Sequence, residues 1–210
     1  MTQNTKSHAP SAQPQDPYPY ATPQPLAQIP KPHRQQVLSM DDKEEAQGPV
    51  IPVFCTARIP IKTLERFIQC NSAYETSESF RARFITGTSR DDVAIIDGVP
   101  EESFSSPCIG KTLQDVTNFW KENVDGLEGF ASSVFILLDE HSEASLTCLA
   151  VAIDYTLEEG DDEAAAPVDV LKADFYVARG VLQLVALGVQ SLHENRDPAV
   201  VLTRENFAMD

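Results

Sequence analysis

From residue 50 onward, short apolar runs alternate with helix-like stretches, a pattern that predicts a mixed sheet flanked by helices. Six runs have the length and the β-branched or aromatic content typical of strands. They are Val50–Cys55, Phe80–Gly87, Val93–Ile96, Val134–Leu138, Leu146–Ile153 and Val170–Val177. A last apolar run, Ala199–Leu202, predicts a further edge strand.

Three segments repeat their apolar positions at helical spacing. The first is Ile61–Asn71, with one apolar face that should pack on the sheet. The second begins after Thr112, an N-cap residue with Asp115 three positions on as its capping-box partner. The third, Arg179–His193, is apolar nearly all round, which favours burial on two sides over packing against a partner.

The fold class expected is α+β or α/β, with a mixed, mainly antiparallel central sheet flanked by about three helices. The short connection between Leu138 and Leu146 predicts an antiparallel hairpin. A second hairpin should follow, with the acidic run 158–163 as its mobile loop.

Residues 1–48 have the composition of a disordered tail in front of a single globular domain, 49–210. The tail holds eight of the fifteen prolines and no Phe or Trp, so it has little apolar surface to offset the entropy of ordering. A tether is the favoured role. The proline spacing in residues 14–20 leaves a polyproline II docking motif as the alternative.

The acidic charge belongs to the predicted domain. The chain has 16 basic and 32 acidic residues; four and five of these lie in residues 1–48, which leaves 12 and 27, a net charge of −15, in residues 49–210. This balance argues against nucleic-acid binding, because phosphate backbones are bound by clustered Lys and Arg. A basic protein partner is the expectation instead.

No apolar run is long enough for a membrane span, and the N-terminus lacks the features of a secretory signal. We therefore expect a cytoplasmic or nuclear protein that does not contact membranes. The four cysteines, Cys55, Cys70, Cys108 and Cys148, have no zinc-site spacing, and reduced, largely buried thiols are expected.

Five segments together carry a family resemblance: Arg81–Ile85, Val134–Asp139, Ala150–Tyr155, Asp174–Val177 and Glu205–Phe207. In order and spacing they resemble a small family of acidic domains of unknown function found in actinobacteria and filamentous fungi. The resemblance spans residues 53–207 and implies an α/β fold. It implies no activity, and no residue is assigned a role from it.

Three carboxylates follow apolar runs: Asp97, Asp139 and Asp154. On parallel strands they would meet at one edge of the sheet and could bind Mg²⁺ or Mn²⁺ for hydrolytic or phosphoryl-transfer chemistry. The predicted hairpin instead places Asp139 and Asp154 at opposite edges. The favoured interpretation is that each Asp closes its strand by binding the next turn.

Two other motifs contain residue types that bind phosphate or act as nucleophiles. The segment Cys108–Thr112 resembles the end of a phosphate-binding P-loop, but Ser105 stands where the first Gly is required, so a loop and a helix cap are favoured. Cys108 could pair with His141 or His193 as a thiol–histidine couple, although no nucleophile elbow is present.

The sequence thus favours a non-enzymatic protein-interaction module with a tethering tail and no cofactor. The alternative is a metal-dependent hydrolase or phosphotransferase that uses Asp97, Asp139 and Asp154.

Overall fold

A computed structural model describes residues 48–73, 79–102, 104–155, 167–192 and 200–207 of the chain. The predicted tail lies outside these residues except for Gly48, and the acidic run 158–163 lies outside them entirely. The strands are β1 (Val50–Cys55), β2 (Arg81–Thr86), β3 (Ala94–Ile96), β4 (Val134–Leu138), β5 (Thr147–Ile153) and β6 (Val168–Asp174). The helices are α1 (Ile61–Ser72), α2 (Leu113–Asn123), α3 (Ser142–Ser145) and α4 (Ala178–Ala186).

The six strands form one mixed sheet in the order β3-β2-β1-β4-β5-β6. β1 is parallel to both of its neighbours, β2 and β4, and the other three pairings are antiparallel. The expected fold class is therefore confirmed. The hairpin predicted from the short connection is the β4–β5 pair, with the single turn of α3 between its strands.

The two central strands, β1 and β4, are buried on both faces, which explains their continuous apolarity. In β4, Val134, Ile136 and Leu138 belong to one apolar cluster, while Phe135 and Leu137 belong to the other. This alternation follows from the two-residue period of a strand.

The helices cover opposite faces of the sheet. Leu64 and Phe67 of α1 share an apolar cluster with Val181 and Leu182 of α4. Trp120 of α2 lies in the other cluster, where its ring stacks on Phe135 with 6.1 Å between the centroids. Fully burying a side chain such as Phe135 stabilises a fold by about 1.5–3 kcal/mol, so both helical layers contribute substantially.

Two predicted strands are shorter at one end than the sequence-based expectation by three residues or more. β6 ends at Asp174 rather than Val177, because the Asp174 carboxylate accepts hydrogen bonds from the backbone N–H of Tyr176 and Val177 at 2.9 and 3.0 Å and so starts a turn. The edge strand expected at Ala199–Leu202 is reduced, within the described residues, to one bridge between Leu202 and Ala173.

α4 ends seven residues before the predicted end at His193. Gly188 has φ +69°, and it donates to Val185 O while Val189 donates to Leu184 O, each at 2.9 Å. These two bonds form a Schellman motif, which closes a helix at a residue in the left-handed conformation. The predicted burial on two sides is wrong for this end, since Leu187 and Val189 are exposed.

None of the helices in the described ranges is both long and apolar enough to span a bilayer.

Candidate functional site

The sheet does not bring the three strand-end aspartates together. Asp139 follows β4, and Asp154 follows the antiparallel β5, so these two residues lie at opposite ends of the sheet. Asp97 follows β3, which is four positions from β5 in the strand order. At about 4.8 Å per strand spacing, this separates Asp97 and Asp154 by roughly 19 Å, far more than one metal ion can bridge.

The partners of these aspartates are structural. Asp97 Oδ1 lies 2.7 Å from Nε of Arg83, whose side chain is 9% exposed. Asp139 Oδ1 accepts from the His141 backbone N–H at 3.0 Å and from Ser142 Oγ at 3.1 Å, which is the expected strand-closing role. No group of three or more His, Cys, Asp or Glu side chains within the described ranges could hold a metal ion.

The P-loop-like segment forms the loop and helix cap favoured from the sequence. Thr112 Oγ1 accepts from the Asp115 backbone N–H at 3.2 Å, and Asp115 Oδ2 accepts from the Thr112 backbone N–H at 3.0 Å. Hydrogen bonds from the Thr112 side chain and backbone hold the pKa of Asp115 below its usual value. A bound anion at this helix end would therefore be repelled by the capping carboxylate.

The four thiols are buried, as expected. Burial raises the pKa of Cys108 to about 11 and that of Cys55 to about 12, so almost no nucleophilic thiolate exists near neutral pH. The side chain of His141 is 71% exposed, with Nε2 3.8 Å from Glu140, and His193 lies outside the described residues. The thiol–histidine hypothesis gains no support from this chemistry.

A shallow concavity of about 650 Å³ lies where β5 ends and β6 begins. We call it the acidic groove. One side is formed by Ser133 and residues 152–155, with Asp169 from β6. The other side is formed by Val185 and residues 188–192, the segment that follows α4.

The strand side of the acidic groove carries its carboxylates. Asp169 pairs with Ala152 across the β5–β6 ladder, which places it beside the end of β5 and close to Asp154. Tyr155 Oη donates to Asp125 Oδ2 at 3.0 Å, but Tyr155 packs against the apolar cluster of α2, so Asp125 lies toward the other face of the sheet. The described lining residues include no Lys, Arg or His. This side of the groove therefore carries two carboxylates and, among its described lining residues, no cationic side chain.

The helix side of the acidic groove carries three apolar residues, Val185, Val189 and Leu192, next to Gln190 and Ser191. The Schellman motif at Gly188 turns the chain away from the α4 axis and leaves Val189 69% exposed. Val185 and Leu192 extend this side of the groove. An apolar wall facing a carboxylate-bearing wall suits a ligand that is both apolar and positively charged.

A second concavity, of about 460 Å³, lies at the carboxyl end of β1. We call it the β1 crevice. Its walls come from Cys55, residues 57–61, Leu64, Phe104, Ser106 and Ile109. Ser106 is 4% exposed, and its Oγ accepts from the backbone N–H of Cys55 at 3.0 Å and of Cys108 at 3.3 Å.

Sequence reasoning missed both concavities. The acidic groove joins a strand end, a strand start and a helix end, and only the β5–β6 register makes them neighbours. One signal was present: Gly188 within an apolar helical pattern predicts a helix end, and hence an exposed apolar segment after it.

No protein-family model matches the chain, and no curated protein or solved structure matches it. The resemblance to the acidic domains of unknown function therefore stays a prediction.

Proposed function

We propose that the chain is a non-enzymatic protein-interaction module whose acidic groove binds a segment of a basic partner protein. The observation that supports this most is the pairing of two walls in one groove: Asp154 and Asp169 on the strand side, and Val189 on the helix side. The segment bound would combine Lys or Arg residues with at least one apolar anchor.

Electrostatics favours such a partner at long and short range. The net charge of −15 in residues 49–210 attracts a basic protein and speeds its encounter. Within the groove, the carboxylates of Asp154 and Asp169 supply local acceptors for Lys or Arg. In sequence, the acidic run 158–163 begins three residues after Tyr155 and adds five carboxylates to this part of the chain.

The apolar wall supplies what charge alone does not, which is a defined position for the partner. Val189, which lines the groove, is 69% exposed, and covering its side chain removes apolar surface from water. Asp97, Asp139 and the capping Asp115 make structural contacts. Because these carboxylates stabilise the fold, we favour a binding role over a catalytic one.

We place this module in the cytosol or the nucleus, without nucleic-acid or membrane partners. The four free, buried thiols support a reducing compartment, because disulfides are the usual state of secreted cysteines.

The proposal is tested by measuring the affinity of the chain for a short fluorescently labelled peptide that alternates Lys and Leu. Fluorescence anisotropy of the peptide reports the binding. Replacing both Asp154 and Asp169 with Asn should weaken binding by about tenfold, since each carboxylate contributes a direct contact. The matched control is Asp139→Asn with Glu140→Gln, which removes the same charge at the opposite end of the sheet and should change affinity by less than about twofold.

Two results would count against the groove. Equal weakening by both double variants would mean that net charge alone attracts the peptide. Equal binding of a peptide that alternates Lys and Ser would mean that the apolar wall plays no part. Thermal melts of each variant establish that the fold is intact.

A further inference from the structure

β6 is an edge strand, and its backbone groups alternate between the sheet and the outside. The strand is the last in the sheet order and pairs with β5 along its whole length. Asp154 N–H donates to Pro167 O at 3.0 Å, so Pro167 and every second residue after it direct their backbone groups toward β5. The residues between them, beginning with Val168, direct their N–H and C=O groups away from the sheet.

Leu202 occupies the carboxyl end of this edge. Its N–H donates to Lys172 O and its C=O accepts from Asp174 N–H, each at 2.8 Å. Val168 and Val170 carry the outward groups nearer the start of β6, and no hydrogen bond joins these groups to any residue that the structure describes. The edge thus pairs with an extended segment at one end and offers two N–H and two C=O groups at the other.

We propose that an extended segment of the basic partner adds to the open part of β6 as a further strand of the sheet. The inference rests on the proposed function for the chemistry of the partner, and it specifies how that partner binds and in what sequence pattern. Peptides add to exposed sheet edges in this way because main-chain hydrogen bonds supply affinity while alternate side chains supply specificity.

The two faces of β6 determine which side chains the added strand should carry, since paired residues on neighbouring strands share a face. Asp169 lines the acidic groove on the α4 side, so the partner residue opposite it should be Lys or Arg. Val168 and Val170 are half-buried and pack against the apolar cluster on the α2 side, so the residues opposite them should be apolar. The expected pattern is apolar, basic, apolar.

Charge favours this occupant over a second copy of the chain. The net charge of −15 in residues 49–210 makes two copies repel each other. Lys172 is the one cation of β6, and it lies on the α2 side, whereas Asp169 lies on the α4 side. A β6–β6 pair would therefore bring no β6 cation to Asp169, which a basic segment would do.

The test compares N-methylated forms of the alternating Lys and Leu peptide, by fluorescence anisotropy with the full chain. Alternate N–H groups of a strand point toward one neighbour, and a methyl group on such a nitrogen removes a donor and blocks close pairing. Methyl groups on one residue type, all Leu or all Lys, should weaken binding by at least about tenfold. Methyl groups on the other type should change it by less than about twofold. Sensitivity at Leu indicates an antiparallel added strand, and sensitivity at Lys a parallel one.

Val170→Pro tests the same bonds from the side of the chain. Val170 N–H points away from β5, so proline removes an outward donor while the β5–β6 ladder keeps its hydrogen bonds. Binding of the unmethylated peptide should weaken by at least about tenfold. Val170→Thr keeps the N–H and the branched side chain and should change affinity by less than about threefold. Thermal melts report whether each variant folds, and the methylated peptides decide the question with the wild-type chain alone.

Equal sensitivity to both sets of methyl groups, or sensitivity to neither, would overturn the inference. Full binding by a folded Val170→Pro chain would overturn it as well. Weakening by the Asp154→Asn and Asp169→Asn double variant but by neither methyl set would support the acidic groove and exclude the added strand. Alternate methyl sensitivity without an effect of that double variant would support the edge and count against the groove. A peptide that does not bind at all would overturn both.

Discussion

Arg83 Nε lies 2.7 Å from Asp97 Oδ1. This ion pair joins the buried Arg83 side chain of β2 to the residue that follows the edge strand β3. The carboxylate that the sequence offered as a metal ligand instead compensates a buried guanidinium. A buried charge that loses its partner is costly, so the pair has a measurable role in stability.

Replacing Asp97 with Ala should lower the free energy of unfolding by about 1–2 kcal/mol, a value reduced from that of a fully buried pair because Asp97 is 44% exposed. Urea denaturation measures the loss. Glu101→Ala, a nearby exposed carboxylate, is the control and should stay within about 0.5 kcal/mol of wild type. A loss no larger than that of the control would show that Arg83 does not depend on Asp97.

The two glycines around α4 should respond to Ala with opposite signs. Gly188 has φ +69°, where a Cβ is strained, so Gly188→Ala should destabilise the fold by about 1 kcal/mol. At Gly180, inside α4, a Cβ would meet only Phe207 Cε1 at an ordinary 3.8 Å, and Gly180→Ala should stabilise the fold by up to about 1 kcal/mol. Thermal denaturation of both variants checks the signs, and stabilisation by Gly188→Ala would contradict the assigned helix end.

The capping box should give acid-dependent stability. The pKa of Asp115 is held below its usual value by Thr112 in the folded chain, so its contribution is present above the unfolded-state pKa, near 4. It is lost as the pH falls through the lower folded-state value. The difference in the free energy of unfolding between wild type and Asp115→Asn should therefore be largest near neutral pH. It should shrink toward zero in strong acid. Urea midpoints across this range measure it, and a difference that does not change with pH would argue against the Thr112–Asp115 bonds.

The thiols should be unreactive while the chain is folded. Burial raises the pKa of Cys55 to about 12 and of Cys108 to about 11, and it raises those of Cys70 and Cys148 as well. A chromogenic disulfide reagent at mildly alkaline pH should modify less than about one thiol per native chain within minutes, and all four after denaturation in urea. Rapid native modification that Cys108→Ser abolishes would restore the case for a reactive Cys108.

Elements whose signals are local were predictable from the sequence. β1 matches its predicted bounds, α1 differs by one residue at its end, and the Thr112–Asp115 capping box forms as expected. In each case an apolar period or a cap specifies the element without reference to the rest of the chain.

The wrong predictions concern the ends of β6 and α4. At both ends the apolar pattern continues, but a local backbone conformation or hydrogen bond ends the element. Val177 continues a strand-like run, yet the Asp174 side chain turns the chain before it. The apolar residues of the α4 segment continue past Gly188, yet the left-handed conformation there ends the helix. Both concavities depend on strand order and register, which bring together residues far apart in sequence.

The central claim is that a basic, apolar-containing segment binds the acidic groove. The most direct test is a two-dimensional amide NMR titration of the isotope-labelled full chain with the alternating Lys and Leu peptide. The account predicts that the largest shifts fall on residues 152–155, Asp169 and residues 188–192, the lining of the groove. Largest shifts around Asp139 and Glu140, or shifts spread evenly over the acidic surface, would contradict it.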